Sequence, residues 1–312
     1  MAKNGAAKAF GVLVMGINIS TAHKGKGKSM RSYIREKQIF CGTAYKEVDI
    51  YPYTAAQEQG AKKGRGKRER VSEPKQKNLN DKNSARYFRQ LVETNFGESG
   101  GVHISLTYTP RHCPKTLEEA EKIVGNYLRR VNCLRKKKGL KPMRRILVTS
   151  ITDPRTGSPA RVHHHLIADN ELSRDELEDL WRMPRRAGEK KGQKIGYANA
   201  DRLQADEEGL GALCRYLARN TGGKKRWSAS HNLKKPTQSV RDDRYSPRQV
   251  QKLCRSMPDK EYWEKKYPGW TPEVSGGAQY EWNEVTGNWS IRLKLRKKAE
   301  YDPFGFKKAG LL

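Results

Sequence analysis

Residues 102–109 constrain the fold more than any other stretch. Val102, Ile104, Leu106 and Tyr108 alternate with His103, Ser105, Thr107 and Thr109. Period two with one apolar and one polar side is a half-buried strand, because successive side chains point to opposite faces of a sheet. Such a strand needs neighbours on its edges and cover on its apolar face. The residues that follow supply both. Thr116-x-x-Glu119 has capping-box spacing, and Leu117, Ala120, Val124, Leu128, Val131 and Leu134 continue at helical intervals toward a stop near Gly139. Residues 145–153 read as a second strand. The turn sequence Asp153-Pro154-Arg155-Thr156-Gly157 folds it in a tight hairpin onto a third, 161–169. Ser173-x-x-Glu176 caps another helix carrying Leu177, Leu180 and Trp181. A last strong helix is predicted over 206–220, ending at Gly222-Gly223. Strand, helix, strand, strand, helix, helix is an α+β order, and it predicts a central antiparallel sheet with helices packed on one face.

Basic extensions flank this part. Three segments are expected: a basic N-terminal region (1–95), a central domain (96–236) and an aromatic- and basic-rich region (237–312) packed on that domain. Residues 1–30 hold no period and read as a weakly ordered start. A strand is expected within 39–53 around Val48, Ile50 and Tyr51, and a short amphipathic helix over 83–95 with Phe88, Leu91 and Val92 on one side. The run Lys62-Lys63-Gly64-Arg65-Gly66-Lys67-Arg68 is either a solvated loop or a phosphate contact. Residues 279–283 and 289–293 flank a glycine-containing turn and predict a hairpin.

Charge narrows the partners. Sixty-four Lys and Arg against 34 Asp and Glu leave a formal net charge of +30, which favours a polyanion. Nucleic acid comes first and an anionic membrane surface second; no apolar run approaches the roughly 20 residues that span a bilayer. No signal peptide is read in residues 10–19. The five cysteines lack CxxC pairs, which speaks against a zinc site and fits reduced thiols in a cytoplasm. Without a GxGxxG turn or a P-loop, no nucleotide cofactor is expected.

The chemistry concentrates in two places. In His163-His164-His165, alternation sets His163 and His165 on one face and His164 on the other, among Val162 and Leu166. Two imidazoles at i and i+2 can share a divalent ion, or form a satisfied structural pair. On the last helix Tyr216 and Arg219 lie one turn apart beside the buried stripe Leu210, Leu213, Cys214 and Leu217. A phenol can attack a phosphodiester when charge is withdrawn from the non-bridging oxygens, and a neighbouring cation can hold the phosphate. Tyr197 is the other nearby phenol. Lys224, Lys225 and Arg226 precede Trp227, which suits either backbone contact with base stacking or a basic loop with Trp227 packed on the core.

The run from His103 to Pro236 resembles the HUH endonucleases of the rolling-circle Rep type, in particular initiator-like proteins of Gram-positive plasmids, phages and integrated elements. Ile104-Ser105-Leu106-Thr107-Tyr108-Thr109-Pro110 is similar to the first motif and Val162-His163-His164-His165-Leu166-Ile167 to the metal-binding second. Tyr216-Leu217-Ala218-Arg219 stands where the third, Tyr-x-x-Lys, is expected, and residues 224–236 resemble the segment that trails it. The resemblance implies a ferredoxin-like sheet and a Mg²⁺ or Mn²⁺ ion on His163 and His165. It also implies Tyr216 as nucleophile assisted by Arg219, and DNA contacts from Thr107, Lys224, Lys225, Arg226, Trp227, Lys234 and Lys235. The implied partner is single-stranded DNA at a replication origin, with host helicase and polymerase following. Two positions depart from the pattern. Arg219 replaces the lysine, and Ser150 occupies the slot where relatives carry a glutamate ligand, leaving Asp153, Asp206 and Glu207 as candidate third ligands. A catalytically silent origin binder on the same fold, and a relaxase or single-tyrosine transposase, are the competing readings.

Overall fold

The computed structural model describes residues 32–62, 74–152, 158–185, 187–219, 226–284 and 287–298. In chain order the first elements are β1 (Ser32–Cys41), β2 (Tyr45–Thr54), α1 (Ala55–Lys62), α2 (Pro74–Phe96), β3 (Val102–Leu106), α3 (Leu117–Lys137), β4 (Arg145–Thr152) and β5 (Pro159–Ala168). There follow α4 (Arg174–Asp179), β6 (Ala198–Arg202), α5 (Gly211–Arg219), β7 (Ser228–Ala229) and β8 (Thr237–Arg241). The last are α6 (Pro247–Ser256), α7 (Lys260–Lys266), β9 (Trp270–Pro272), β10 (Ala278–Asn283) and β11 (Asn288–Lys297). The protein is α+β with two antiparallel sheets, and no described helix is long and apolar enough to cross a membrane.

Two compact units replace the three expected segments: residues 1–83 with 237–312, and residues 84–236. The second unit ends at Pro236. The boundary expected at 95 moves into α2, and the N- and C-terminal segments are a single unit because their strands share a sheet, ordered β10-β11-β2-β1-β8 with β9 on β11. Helices α6 and α7 cover one face, packing Val250, Cys254 and Trp263 with Val48, Ile50, Ile291 and Leu293. The expected hairpin at 279–293 is present as β10 and β11, with Gly287 at φ +61. Strand β1 escapes a period-two reading because Arg35-Glu36-Lys37 interrupts it. Glu36 is buried all the same, accepting from Arg244 at 3.0 Å and the Tyr267 hydroxyl at 2.9 Å.

In the second unit the five strands run β6-β3-β5-β4-β7. Both predicted caps are present: Thr116 accepts from the Glu119 amide, and Ser173 with Glu176 forms a complete capping box. Helix α3 ends where Gly139 takes φ +72. Helix α5 starts later than expected, at Gly211. Asp206 and Gly209 instead close a turn by exchanging backbone hydrogen bonds of 3.1 and 2.8 Å. The turn at 153–157 and the glycines at 222–223 lie outside the described residues, as do residues 1–30 and all of the basic run after Lys62.

The expectation of helices on one face needs correction. Helices α3 and α4 pack Val124, Tyr127, Leu128, Val131 and Leu177 on Ile104, Leu106, Leu147 and Leu166. The opposite face carries α2 and α5, whose Phe88, Leu91, Val92, Cys214 and Leu217 cover Ile146, Val148 and Ile167. Consecutive apolar residues Ile146-Leu147-Val148 are the physical reason, since a strand apolar at both parities is buried on both sides.

Candidate active site

Cross-strand register assembles the site. In the β3–β5 ladder Ser105 faces His165 and His103 faces Ile167; in the β4–β5 ladder Ser150 faces His163. In the β3–β6 ladder Asn199 and Asp201 face Ser105 and His103. Alternation therefore sets His103, Ser105, Ser150, His163, His165, Asn199 and Asp201 on one side of the sheet. This is the side that α5 covers.

His164 points the other way. It is fully buried, with Nε2 2.7 Å from the Tyr108 hydroxyl and Nδ1 2.9 Å from Thr149 Oγ1. Burial, reinforced by His163, pushes its pKa down to about 3, so the ring is neutral and both nitrogens are satisfied. The core-facing role expected for His164 is what the fold shows.

His165 is the centre of the opposite side. Its ring stacks on His103 at 5.2 Å between centroids and meets His163 edge-on at 5.0 Å. Its Nδ1 is 3.2 Å from His103 Nε2, while its own Nε2 is buried with no partner among the described residues. Burial first, then the neighbouring histidines, push its pKa down to about 3; burial also lowers that of His103, against the pull of Asp201. His163 Nδ1 donates to the Arg161 carbonyl at 2.9 Å, which leaves the lone pair of that ring on Nε2. In the arrangement that leaves a lone pair on His165 Nε2, Nδ1–H donates to His103 Nε2. The orphaned buried nitrogen of the neutral His165 ring, beside the His163 ring, fits a divalent ion held by these two side chains. In the positions described, no group of three or more His, Cys, Asp and Glu side chains is placed to hold one.

Helix α5 adds the phenol. Leu210, Cys214 and Leu217 seat it in the core, and this turns Tyr216 outward, 41% exposed, with its ring edge-on to His165 at 5.6 Å. Arg219 is exposed one turn further on.

The remaining sequence candidates scatter. Glu207 stands in the exposed turn before α5 and makes none of the histidine contacts; Asp206 in that turn accepts from the Glu208 amide at 2.8 Å. Asp153, Lys224 and Lys225 lie outside the described residues. The Thr107 hydroxyl donates to the Tyr197 carbonyl at 3.2 Å, and the Thr107 carbonyl accepts from Trp181 Nε1 at 2.8 Å, so this residue ties the sheet edge together. Tyr197 is 81% exposed. Trp227 is half-buried, packs on Tyr87 and Phe88 at the edge of the core and donates to Ser84 at 3.0 Å; Arg226 beside it is also half-buried. Lys234 and Lys235 are exposed. His103 was not among the sequence candidates, although its place on the polar side of β3 was visible. Comparison with protein families, curated proteins and solved structures finds no match to the chain.

Proposed function

We propose that this chain cuts and rejoins single-stranded DNA through Tyr216, as HUH endonucleases that start rolling-circle replication do. The observation that carries the reading is the Tyr216 ring 5.6 Å from His165, a buried neutral imidazole whose Nε2 has no partner among the described residues. His163 and His165 would hold a Mg²⁺ or Mn²⁺ ion, whose chemistry when bound is to withdraw charge from the non-bridging oxygens of a phosphodiester. Arg219, exposed on the last turn of α5, grips the phosphate as a fixed cation. The Tyr216 oxygen forms a bond to phosphorus while the bond to the 3′-oxygen breaks. The phenol proton passes to water, and the leaving 3′-oxygen takes up a proton to become a free hydroxyl. The 5′-phosphate stays on the tyrosine as a diester. An incoming 3′-hydroxyl reverses the step without ATP, because the number of phosphate ester bonds is unchanged. Exposure of Tyr216 leaves the phenol open to an unpaired strand.

The test is a labelled pool of single-stranded oligonucleotides incubated with Mn²⁺ and the full chain. A covalent adduct that survives denaturation and is absent with Tyr216→Phe supports the reading. No adduct across origin sequences of the source element, with binding retained, would leave a silent DNA-binding protein in its place.

A further inference from the structure

Residues 135–141 hold five cations in seven positions, and the fold uses only two of them internally. Arg135 is buried and bonded to Asp169 at 2.6 Å and Glu171 at 2.7 Å, while Lys138 pairs with Glu176. Lys136, Lys137 and Lys141 are exposed, with no acidic partner among the described residues.

A second segment, some ninety residues later, is clamped beside them. Asn232 Nδ2 donates to the Pro142 carbonyl at 2.8 Å, the Ser230 amide donates to the Arg145 carbonyl at 2.9 Å, and the Arg145 amide donates to Ser230 Oγ at 2.9 Å. Asn95 then fixes Lys234, accepting from its amide and donating to its carbonyl at 2.9 Å each. Lys234 and Lys235 follow Asn232 by two and three residues, roughly 7–10 Å of extended chain, and both are exposed without an acidic partner among the described residues. Between the two segments, Arg145 has a buried Nη1 with no acceptor among the described residues.

Five exposed cations without an acidic partner among the described residues repel one another, and a polyanion would offset that cost. The rest of the surface here decides which polyanion. None of the exposed large apolar side chains among the described residues belongs to either segment. Among the described residues the two segments therefore expose no wedge for a bilayer and no Phe, Tyr or Trp ring on which unpaired bases would stack, the imidazole of His231 being their one exposed ring. Five lysines with no exposed Phe, Tyr, Trp or large aliphatic side chain beside them suit phosphates before bases or lipid.

We infer that Lys136, Lys137, Lys141, Lys234 and Lys235 form a docking surface for the phosphate backbone of duplex nucleic acid, gripped without regard to base sequence. This goes beyond strand cutting at Tyr216 and stands without it. Where both hold, the protein binds duplex on this patch and unpaired strand at the histidine face.

The experiment is fluorescence anisotropy of the full chain with a labelled duplex of arbitrary sequence across a salt series, with the single strand of equal length alongside. In the variant Lys136→Gln/Lys137→Gln/Lys141→Gln the slope of log affinity against log salt should fall by about 2.7, at about 0.9 per lost phosphate contact, and duplex affinity near physiological salt by at least about tenfold. The control Lys115→Gln/Lys122→Gln/Lys190→Gln removes the same charge from exposed lysines of the same unit and should stay within about twofold. Equal losses in both variants would reduce the effect to net charge and overturn the patch. A larger loss for single strand than for duplex would overturn the duplex assignment. So would loss of binding to phosphatidylserine vesicles with duplex affinity intact. The Tyr216 adduct on a short single-stranded oligonucleotide should persist in the patch variant, so failure of the nicking reading and failure of the patch register separately.

Discussion

The strand that presents the histidine pair is held by His164, and its neutrality should be readable as a pH dependence of stability. The ring is 0% exposed and its pKa is pushed down to about 3 by burial, whereas in the unfolded chain it titrates near 6.5. Between those values the unfolded state binds a proton that the folded state refuses. Stability therefore rises with pH across the window: it is complete above about 6.5 and is lost as pH falls toward 3. Each pH unit is worth about 1.4 kcal/mol, so lowering the pH from about 6.5 to about 5 costs about 2 kcal/mol through this ring alone. The full window would cost about 5 kcal/mol. His165, held down to about 3 as well, acts in the same direction. His164→Gln removes the titration while keeping an amide opposite the Tyr108 and Thr149 hydroxyls. Urea unfolding of both proteins at about pH 7 and about pH 5 is the assay. At pH 7 the variant should be less stable by about 1–3 kcal/mol through imperfect repacking. Between the two pH values it should lose about 2 kcal/mol less than the parent. Equal losses would mean that the imidazole is already charged or hydrated in the fold, and the reasoning would fail.

Other outcomes follow from single contacts. Asp169, 2% exposed, accepts from Arg135 at 2.6 Å and from the Arg144 amide at 2.8 Å, so Asp169→Ala leaves a buried guanidinium half-paired and should cost about 3–5 kcal/mol. A shift in denaturant midpoint worth under about 1 kcal/mol would show that Glu171 suffices for Arg135. A Cβ on Gly196 would stand 2.0 Å from the Thr107 carbonyl oxygen, so Gly196→Ala should destabilise by about 2 kcal/mol or more. Gly125, inside α3 with nothing within 4 Å, should behave oppositely: Gly125→Ala should stabilise by about 0.5–1 kcal/mol, and thermal unfolding compares the two. Trp227→Ala removes packing on Tyr87 and Phe88 and should cost about 2–4 kcal/mol. Unchanged stability with weakened single-strand binding would instead make Trp227 a stacking residue.

The sequence displayed most clearly what local chemistry decides. The alternation in β3, the caps at Thr116 and Ser173, the stop at Gly139 and the β10–β11 hairpin each depend on residues a few positions apart. What escaped depends on partners far along the chain. Strand β1 is legible only once Arg244 and Tyr267 are known to receive Glu36, some two hundred residues away. The pairing of β2 with β11 and of β1 with β8, which merges the terminal segments into one unit, has no local signature. The late start of α5 is a different case. Asp206-Glu207-Glu208 looks like the acidic first turn of a helix, but Gly209 at φ +66 closes it into a separate turn.

His103 marks the same boundary inside the site. His163 and His165 can be paired by inspection, because alternation alone sets i and i+2 side by side. His103 joins them only through the β3–β5 register, Ile104 against Leu166 and Ser105 against His165, and a slip of one residue would send it to the core face. That register is fixed by the apolar set Val102, Ile104, Leu106 and Tyr108 seeking cover under α3 and α4. The packing that buries one face of β3 thus delivers a histidine to the other. Asp201 faces His103 in the β3–β6 ladder, and His103 Nε2 lies 3.2 Å from His165 Nδ1. Asp201 acts on His103 through its charge, opposing the effect of burial on that ring, and His103 in turn stands against the His165 ring. In the tautomer in which His165 Nδ1 donates to His103 Nε2, the lone pair of His165 is on Nε2, the nitrogen that the fold leaves buried and without a partner among the described residues. The group behind His165 therefore comes from β3, the strand whose packing fixes the register.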